Sequence, residues 1–113
     1  MNNTLLFNHV FKKTLSIIDN ELNRFVQYVD IDYIYQNNMI NIIFENKKRI
    51  IINAQEYLNQ LWMGTSKQGY HFIFKKKQWI CIKTKKKFRD ILKKEFLKQT
   101  NKKINFLKLK KIN

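Results

Sequence analysis

The chain has 113 residues, 44% of them hydrophobic, and a formal net charge of +15 at neutral pH. This length suits a single domain, and the hydrophobic share is too high for a disordered chain. The apolar runs are far shorter than the ~20 residues that a membrane-spanning helix needs. The single cysteine, Cys81, excludes an intrachain disulfide and a multi-cysteine zinc site. Residues 1–13 have no features of a secretion signal, and we expect a cytoplasmic protein.

The positive charge suggests nucleic-acid binding, but its makeup and placement weaken that interpretation. There are 20 Lys and only 3 Arg, whereas specific readers of phosphates and bases favour Arg. Lys, Asn and Ile, which have A/T-rich codons, fill 50 of the 113 positions. This bias indicates drift in an A/T-rich genome, in which Lys replaces other surface residues without selection for a ligand. Residues 1–74 carry a net charge of +1 and residues 75–113 carry +14. A small basic nucleic-acid-binding domain is therefore the alternative rather than the main hypothesis.

The first predicted element is a long amphipathic helix. Apolar residues recur at spacings of three and four, which places on one helical face Phe7, Phe11, Leu15, Ile18, Leu22 and Phe25.

The pattern then changes to alternation with a period of two, which is typical of strands. Turn residues such as Asn37 and Asn38 separate the alternating segments. The predicted strands cover residues 28–35, 39–44, 49–53, 59–65, 70–74 and 79–83. In the first of them, Val29, Ile31, Tyr33 and Tyr35 share one face.

A second amphipathic helix follows, with Thr84 as its predicted N-cap. One face is set by Phe88, Ile91, Leu92, Glu95 and Phe96, and Lys occupies the remaining faces. The order predicts an α+β fold, a two-layer α/β sandwich with two helices on one face of an antiparallel sheet of about six strands. Residues 1–113 form one domain, with a core of about 5–98 and a basic tail over 100–113. The tail either packs onto the helices or frays. Its apolar side chains are Ile104, Phe106, Leu107, Leu109 and Ile112.

No constellation of catalytic residues is recognisable in the sequence, which predicts a protein that is not an enzyme. His71 lies in a strand and is expected to be a hydrogen-bonded structural residue. Cys81 lies between Ile80 and Ile82 in another strand, where a small semi-buried side chain is a better interpretation than a nucleophile.

Several motifs occur in the order found in one known family. They are D-I-D at 30–32, F-E-N at 44–46, N-A-Q-E-Y-L-N-Q-L-W-M-G-T from residue 53, G-Y-H-F at 69–72 and W-I-C at 79–81. The most specific part is I-I-N-x-Q followed by Q-x-W. In these motifs the chain resembles the frataxin family, and its bacterial members in particular, over residues 5–98.

The resemblance implies an accessory or regulatory protein of iron–sulfur cluster assembly that acts on a cysteine desulfurase and its scaffold protein. It also implies weak binding of iron, Fe²⁺ or Fe³⁺, by surface carboxylates, and Asp19, Asp30 and Asp32 fall on matching positions. Carboxylate oxygens are hard donors that suit such a site. Without the resemblance, these three acids read better as solvated charges.

The sequence departs from the family pattern along the acidic ridge. Positions that are often acidic in bacterial members carry Asn23, Arg24, Val26 and Tyr28, while Glu21 adds an acid elsewhere. We therefore expect weaker iron binding than a full ridge would give.

Asn53, Gln55 and Trp62 match the exposed sheet surface that the family uses to bind the assembly machinery. A strand tryptophan is more often buried. If Leu61 and Met63 on either side of it fill the core, however, Trp62 faces solvent, and this is the arrangement we expect. We expect a monomer, and iron-dependent oligomers remain open.

Overall fold

The computed structural model describes the backbone of residues 3–112 and the side chains of residues 6–112. Two helices flank six strands, and short 3₁₀ turns lie at Glu56–Leu58 and Leu107–Leu109. The elements are α1 (Asn3–Phe25), β1 (Ile31–Gln36), β2 (Met39–Phe44), β3 (Arg49–Gln55), β4 (Gln60–Gly64), β5 (Gly69–Lys75), β6 (Gln78–Cys81) and α2 (Phe88–Thr100). Within the described residues, no helix combines the length and apolar character needed to cross a bilayer.

The six strands form one antiparallel sheet in which each strand pairs with the next one in sequence, so that β1 and β6 are outermost. Asn37 and Asn38, between β1 and β2, both have positive φ angles, 54° and 58°. Two consecutive residues of this kind form the tight hairpin turn whose twist matches that of the flanking strands, and Asn tolerates the conformation well.

Both helices cover the same face of the sheet, and the hydrophobic core lies between the two layers. On the α1 side, the ring of Phe7 meets that of Trp79 in β6 at a centroid distance of 5.9 Å. On the α2 side, Phe96 meets Phe44 in β2 at 5.3 Å. Five of the six residues in the predicted stripe of α1 are buried, and Phe25 is partly buried against the same core. The predicted two-layer α+β architecture is confirmed.

One polar contact crosses this core. The indole nitrogen of Trp79 donates a hydrogen bond to Thr14 Oγ1 at 2.8 Å, and Thr14 Oγ1 donates in turn to the carbonyl oxygen of Val10 at 2.7 Å. Both polar groups are buried and both are satisfied, so their burial does not carry the penalty of an unpaired group.

The segment after α2 packs onto the helices rather than fraying. Its buried side chains are Ile104, Phe106, Leu109 and Ile112, whereas Leu107 is 61% exposed. The Arg89 guanidinium donates to the carbonyl oxygens of Asn105 and Phe106 at 2.9 and 3.1 Å. The backbone N–H of Ile112 donates to the carbonyl oxygen of Lys77 at 2.9 Å, which ties the end of the segment to the β5–β6 turn.

Two local expectations are wrong. β1 begins at Ile31, because the backbone N–H groups of Tyr28 and Val29 bond to the carbonyl oxygen of Phe25 and end α1 in a turn. In addition, α2 begins at Phe88, and Thr84 instead accepts the backbone N–H of Lys86 in the preceding turn.

Candidate functional site

The outer face of the sheet, opposite the helices, carries the first candidate surface. Leu61 and Met63 in β4 are almost fully buried, whereas Trp62 between them is only partly buried. Because successive side chains of a strand point to opposite faces, Trp62 lies on the outer face. Asn53 in β3 stands directly opposite Trp62 in the strand register.

His71 in β5 completes this surface from the other side. It is the register partner of Trp62, and the two rings stack with centroids 4.1 Å apart and planes 8° from parallel. The Trp62 indole nitrogen donates to Gln60 Oε1 at 2.8 Å, which fixes the ring's orientation. Asn53, Trp62 and His71 thus form a row across three adjacent strands, which we call the amide–aromatic row.

The place of His71 in this row was not anticipated from the sequence. Alternation could have predicted its outward position, because Phe72, which follows it in β5, is buried and neighbouring residues of a strand lie on opposite faces.

Gln55 lies beyond the row, at the end of β3. It precedes the 3₁₀ turn Glu56–Leu58 and faces Gln60 in the register. A shallow depression of about 320 Å³ joins Asn53 and Gln55 to Met39 and to Tyr57, whose side chain is 99% exposed. The three expected partner-binding residues therefore share one surface.

The three expected iron ligands lie around β1, on different sides of it. Asp19 belongs to α1, Asp30 lies in the connection before β1, and Asp32 lies within the strand. Asp30 and Asp32 are exposed, and Asp19 is partly buried. Among the described residues, no three His, Cys, Asp or Glu side chains lie close enough to hold one metal ion.

Tyr33 accounts for this separation. Its side chain packs partly against the core, and its hydroxyl donates to Asp19 Oδ1 at 2.8 Å. Asp32, the preceding residue, points to the other face and accepts the backbone N–H of Tyr33 at 3.0 Å. Asp19 is thus held on the helical side of β1, and Asp32 belongs to the outer face.

The contact with Asp19 also changes the acidity of Tyr33. Desolvation on burial, together with the hydrogen bond to the Asp19 carboxylate and its negative charge, raises the pKa of Tyr33 to about 12. The phenol therefore stays protonated as a donor at neutral pH, and one oxygen of Asp19 is already occupied by a hydrogen bond.

Two of the departures from the acidic pattern interact with each other. The Arg24 guanidinium contacts Glu21 Oε1 at 2.6 Å, one helical turn away on α1. Glu21 is buried, whereas the Arg24 side chain is 68% exposed. The additional acid is consequently neutralised by the base beside it and adds no free negative charge to the surface.

Cys81 is buried within the core, on the inner face of β6. Burial by itself would raise the pKa of the thiol, but hydrogen bonds from Thr84 and from neighbouring backbone groups outweigh it and lower the pKa. Its sulfur is nevertheless inaccessible to a substrate in solution, since only 2% of the residue is exposed.

Comparison with known proteins identifies relatives of this chain. The family model described as "Frataxin-like domain" matches residues 2–102. A protein of Buchnera aphidicola subsp. Baizongia pistaciae named "Iron-sulfur cluster assembly protein CyaY" is 40% identical over 102 residues, which cover 90% of this chain and 86% of the relative. A protein of the same name from Vibrio vulnificus is 34% identical over 95 residues, covering 80% of this chain and 91% of the relative.

A solved structure agrees with the sequence comparison. The frataxin of Psychromonas ingrahamii superposes with a TM-score of 0.84 at 25% identity, covering 94% of this chain and 98% of the other. The family match, the relatives and the shared arrangement of helices and strands lead to one conclusion. This chain belongs to the frataxin family.

Proposed function

We propose that this protein assists iron–sulfur cluster assembly as an accessory protein in the cytoplasm, without itself catalysing a reaction. The observation that carries the proposal is membership of the frataxin family, together with relatives that are named iron–sulfur cluster assembly proteins. These comparisons give no support to the nucleic-acid-binding alternative.

The amide–aromatic row, extended by Gln55, is the surface proposed to bind the cysteine desulfurase and its scaffold. Trp62 supplies a large ring already oriented by His71 and Gln60, so little conformational freedom is lost when a partner covers it. Asn53 beside it offers hydrogen-bond donors and acceptors. Partly buried tryptophans flanked by polar groups often supply most of the binding energy at interfaces.

Iron is proposed to bind weakly at the exposed carboxylates of Asp30 and Asp32, with water completing its coordination. Hard oxygen donors suit this ion, and the site contains no soft donor that would tighten binding. Asp19 contributes less, because binding a metal through Oδ1 requires loss of the Tyr33 hydrogen bond. Iron is here a cargo or signal rather than a resident cofactor.

The proposal is tested by the rate of cluster assembly on the purified cognate desulfurase and scaffold, with and without this protein. The replacement Trp62→Ala should weaken binding to the assembly complex by ~2 kcal/mol or more and abolish the effect on the rate. Leu107→Ala, an exposed apolar side chain on the C-terminal segment, is the control and should change neither quantity.

Stability measurements keep the result interpretable. Trp62→Ala should lower the free energy of unfolding by only ~1–2 kcal/mol, because the ring is partly exposed and loses mainly its stacking contact. Trp79→Ala should cost ~3–5 kcal/mol, as expected for a core tryptophan. If the wild-type protein changes no assembly rate, or if Trp62→Ala binds as tightly as wild type, the proposed role of this surface is wrong.

A further inference from the structure

Lysines from separate elements of the chain converge on one groove. A cavity of about 430 Å³ lies between the β4–β5 turn, the connection after β6 and one side of α2. Four lysines from these three elements line it, and we call it the lysine groove: Lys67, Lys86, Lys94 and Lys98. None of the four takes part in an ion pair within the described part of the chain.

The backbone holds these lysines in place. Thr65 organises the β4–β5 turn, because its Oγ1 accepts the backbone N–H groups of Lys67 and Gln68, each at 3.2 Å. Lys94 and Lys98 are four residues apart on α2 and therefore lie on the same side of the helix. The fold of the backbone thus brings these lysines together.

The clustering is electrostatically unfavourable in the free protein. Lys98 beside Lys67 lowers the pKa of the Lys67 ammonium, and Lys48 in the β2–β3 turn lowers it further. Glu95 opposes this effect only slightly. Like charges four residues apart on a helix, such as Lys94 and Lys98, also repel each other. An anion bound in the groove would relieve both repulsions.

The rest of the lining is mixed. Thr65, Gln68 and Thr84 add neutral hydrogen-bonding groups, and Ile91 adds an apolar wall. Two carboxylates, Asp90 and Glu95, also line the groove, but the four lysines outnumber them and leave its lining net positive. Gln68 Nε2 donates to Tyr70 Oη, which fixes the phenol at the mouth of the groove. The volume falls in the range of small-molecule sites, about 300–1,000 Å³, and exceeds what one phosphate needs.

We propose that the lysine groove binds a small anion with two adjacent phosphates, a diphosphate group either free or carried by a nucleotide. Lys67 of the β4–β5 turn and Lys98 of α2 lie close enough to perturb each other, so one phosphate group can contact both. A second, linked phosphate would add contacts to Lys86 or Lys94, which line the same cavity. This inference is independent of the proposed role in cluster assembly, since the groove lies away from the amide–aromatic row and shares no residue with it.

The test is calorimetry with inorganic pyrophosphate and, separately, with adenosine diphosphate, at ~0.05 M salt so that screening is weak. Wild-type protein should bind one equivalent of each saturably. The double variant Lys67→Gln/Lys98→Gln should bind roughly tenfold more weakly, since each exposed charge pair contributes modestly. Tighter binding of adenosine diphosphate would identify a nucleotide as the ligand, and equal binding would identify free diphosphate.

The matched control removes the same number of charges elsewhere. Lys108→Gln/Lys111→Gln alters two exposed lysines of the C-terminal segment that do not line the groove, and it should change the affinity by less than about twofold. Equal weakening in both double variants would show a response to net charge alone and overturn the proposal. Failure of wild-type protein to bind pyrophosphate saturably would overturn it as well.

Discussion

At the scale of single residues, the hydrogen bond between Tyr33 and Asp19 is the contact that sequence reasoning could not supply. The two residues are 14 positions apart, in α1 and β1, and only the packing of α1 on the sheet brings them together. The acidic residues were recognisable from their resemblance to a family pattern. Which of them is free to bind a metal depends on this contact.

Tyr33 gives a prediction about stability at alkaline pH. Its folded-state pKa of about 12 lies above the ordinary value of 10.0, so folding favours the protonated phenol. The contribution to stability is therefore complete below pH 10 and is lost as the pH rises toward 12. In Tyr33→Phe, the free energy of unfolding should be ~1 kcal/mol lower at neutral pH and should fall less steeply between pH 10 and 12.

The pH dependence of the free energy of unfolding is measured by urea denaturation, monitored by circular dichroism, at a series of pH values. Tyr35→Phe, on the same strand but exposed, is the control and should retain the steeper alkaline loss of the wild type. An alkaline profile of Tyr33→Phe that coincides with the wild-type profile would contradict the assignment.

At the scale of elements, the sequence predicts what periodicity determines and misses what tertiary contacts determine. All six strands were predicted within a few residues, and β2 matches at both ends. The start of α2 was misplaced because Thr84 is a good capping residue by type, yet its hydroxyl serves a turn that precedes the helix. The outward position of Trp62 could be predicted from alternation, whereas its stacking on His71 required the register of β4 and β5.

The C-terminal segment supplies a prediction at this scale. Phe106 is buried between α1 and α2, with ring centroids 6.5 Å from Phe25 and 5.4 Å from Phe96. Phe106→Ala should therefore cost ~3–5 kcal/mol of unfolding free energy through cavity formation. Leu107→Ala, next to it but exposed, should change stability by less than ~0.5 kcal/mol. Chemical denaturation measures the free energy of unfolding of both variants. Equal losses in the two would mean that the segment does not pack as described.

At the scale of the whole molecule, charge is distributed very unevenly. The half that contains the iron-site candidates is nearly neutral, and the half that forms α2 and the C-terminal segment carries almost all of the excess. At physiological salt the field of those lysines is damped beyond ~8 Å. It should therefore weaken cation binding around β1 without preventing it.

This balance predicts where ferrous ions bind and how tightly. Under anaerobic conditions, paramagnetic broadening in NMR spectra should appear at residues 30–32 and only at iron concentrations approaching millimolar. Asp30→Asn/Asp32→Asn should remove it, because the carboxylates are the donors. The control Glu45→Gln/Glu56→Gln removes two exposed acids elsewhere and should leave it intact. Broadening centred on His71 or Cys81, or none at millimolar iron, would show that no carboxylate site exists around β1.

The position of β1 at the margin of the sheet has a consequence for self-association. One side of this strand has no hydrogen-bonded neighbour in the sheet, and Ile34 and Tyr35 are 48% and 38% exposed. Such a margin is a template on which a second copy can add its own strand, and charged side chains are the usual protection against that. We therefore expect the charges of Asp30 and Asp32 to oppose the pairing of two copies along this strand, in addition to their proposed role as oxygen ligands. The variant Asp30→Asn/Asp32→Asn should therefore self-associate more readily than the wild type at high protein concentration, and its iron titration belongs at a concentration where it is still monomeric.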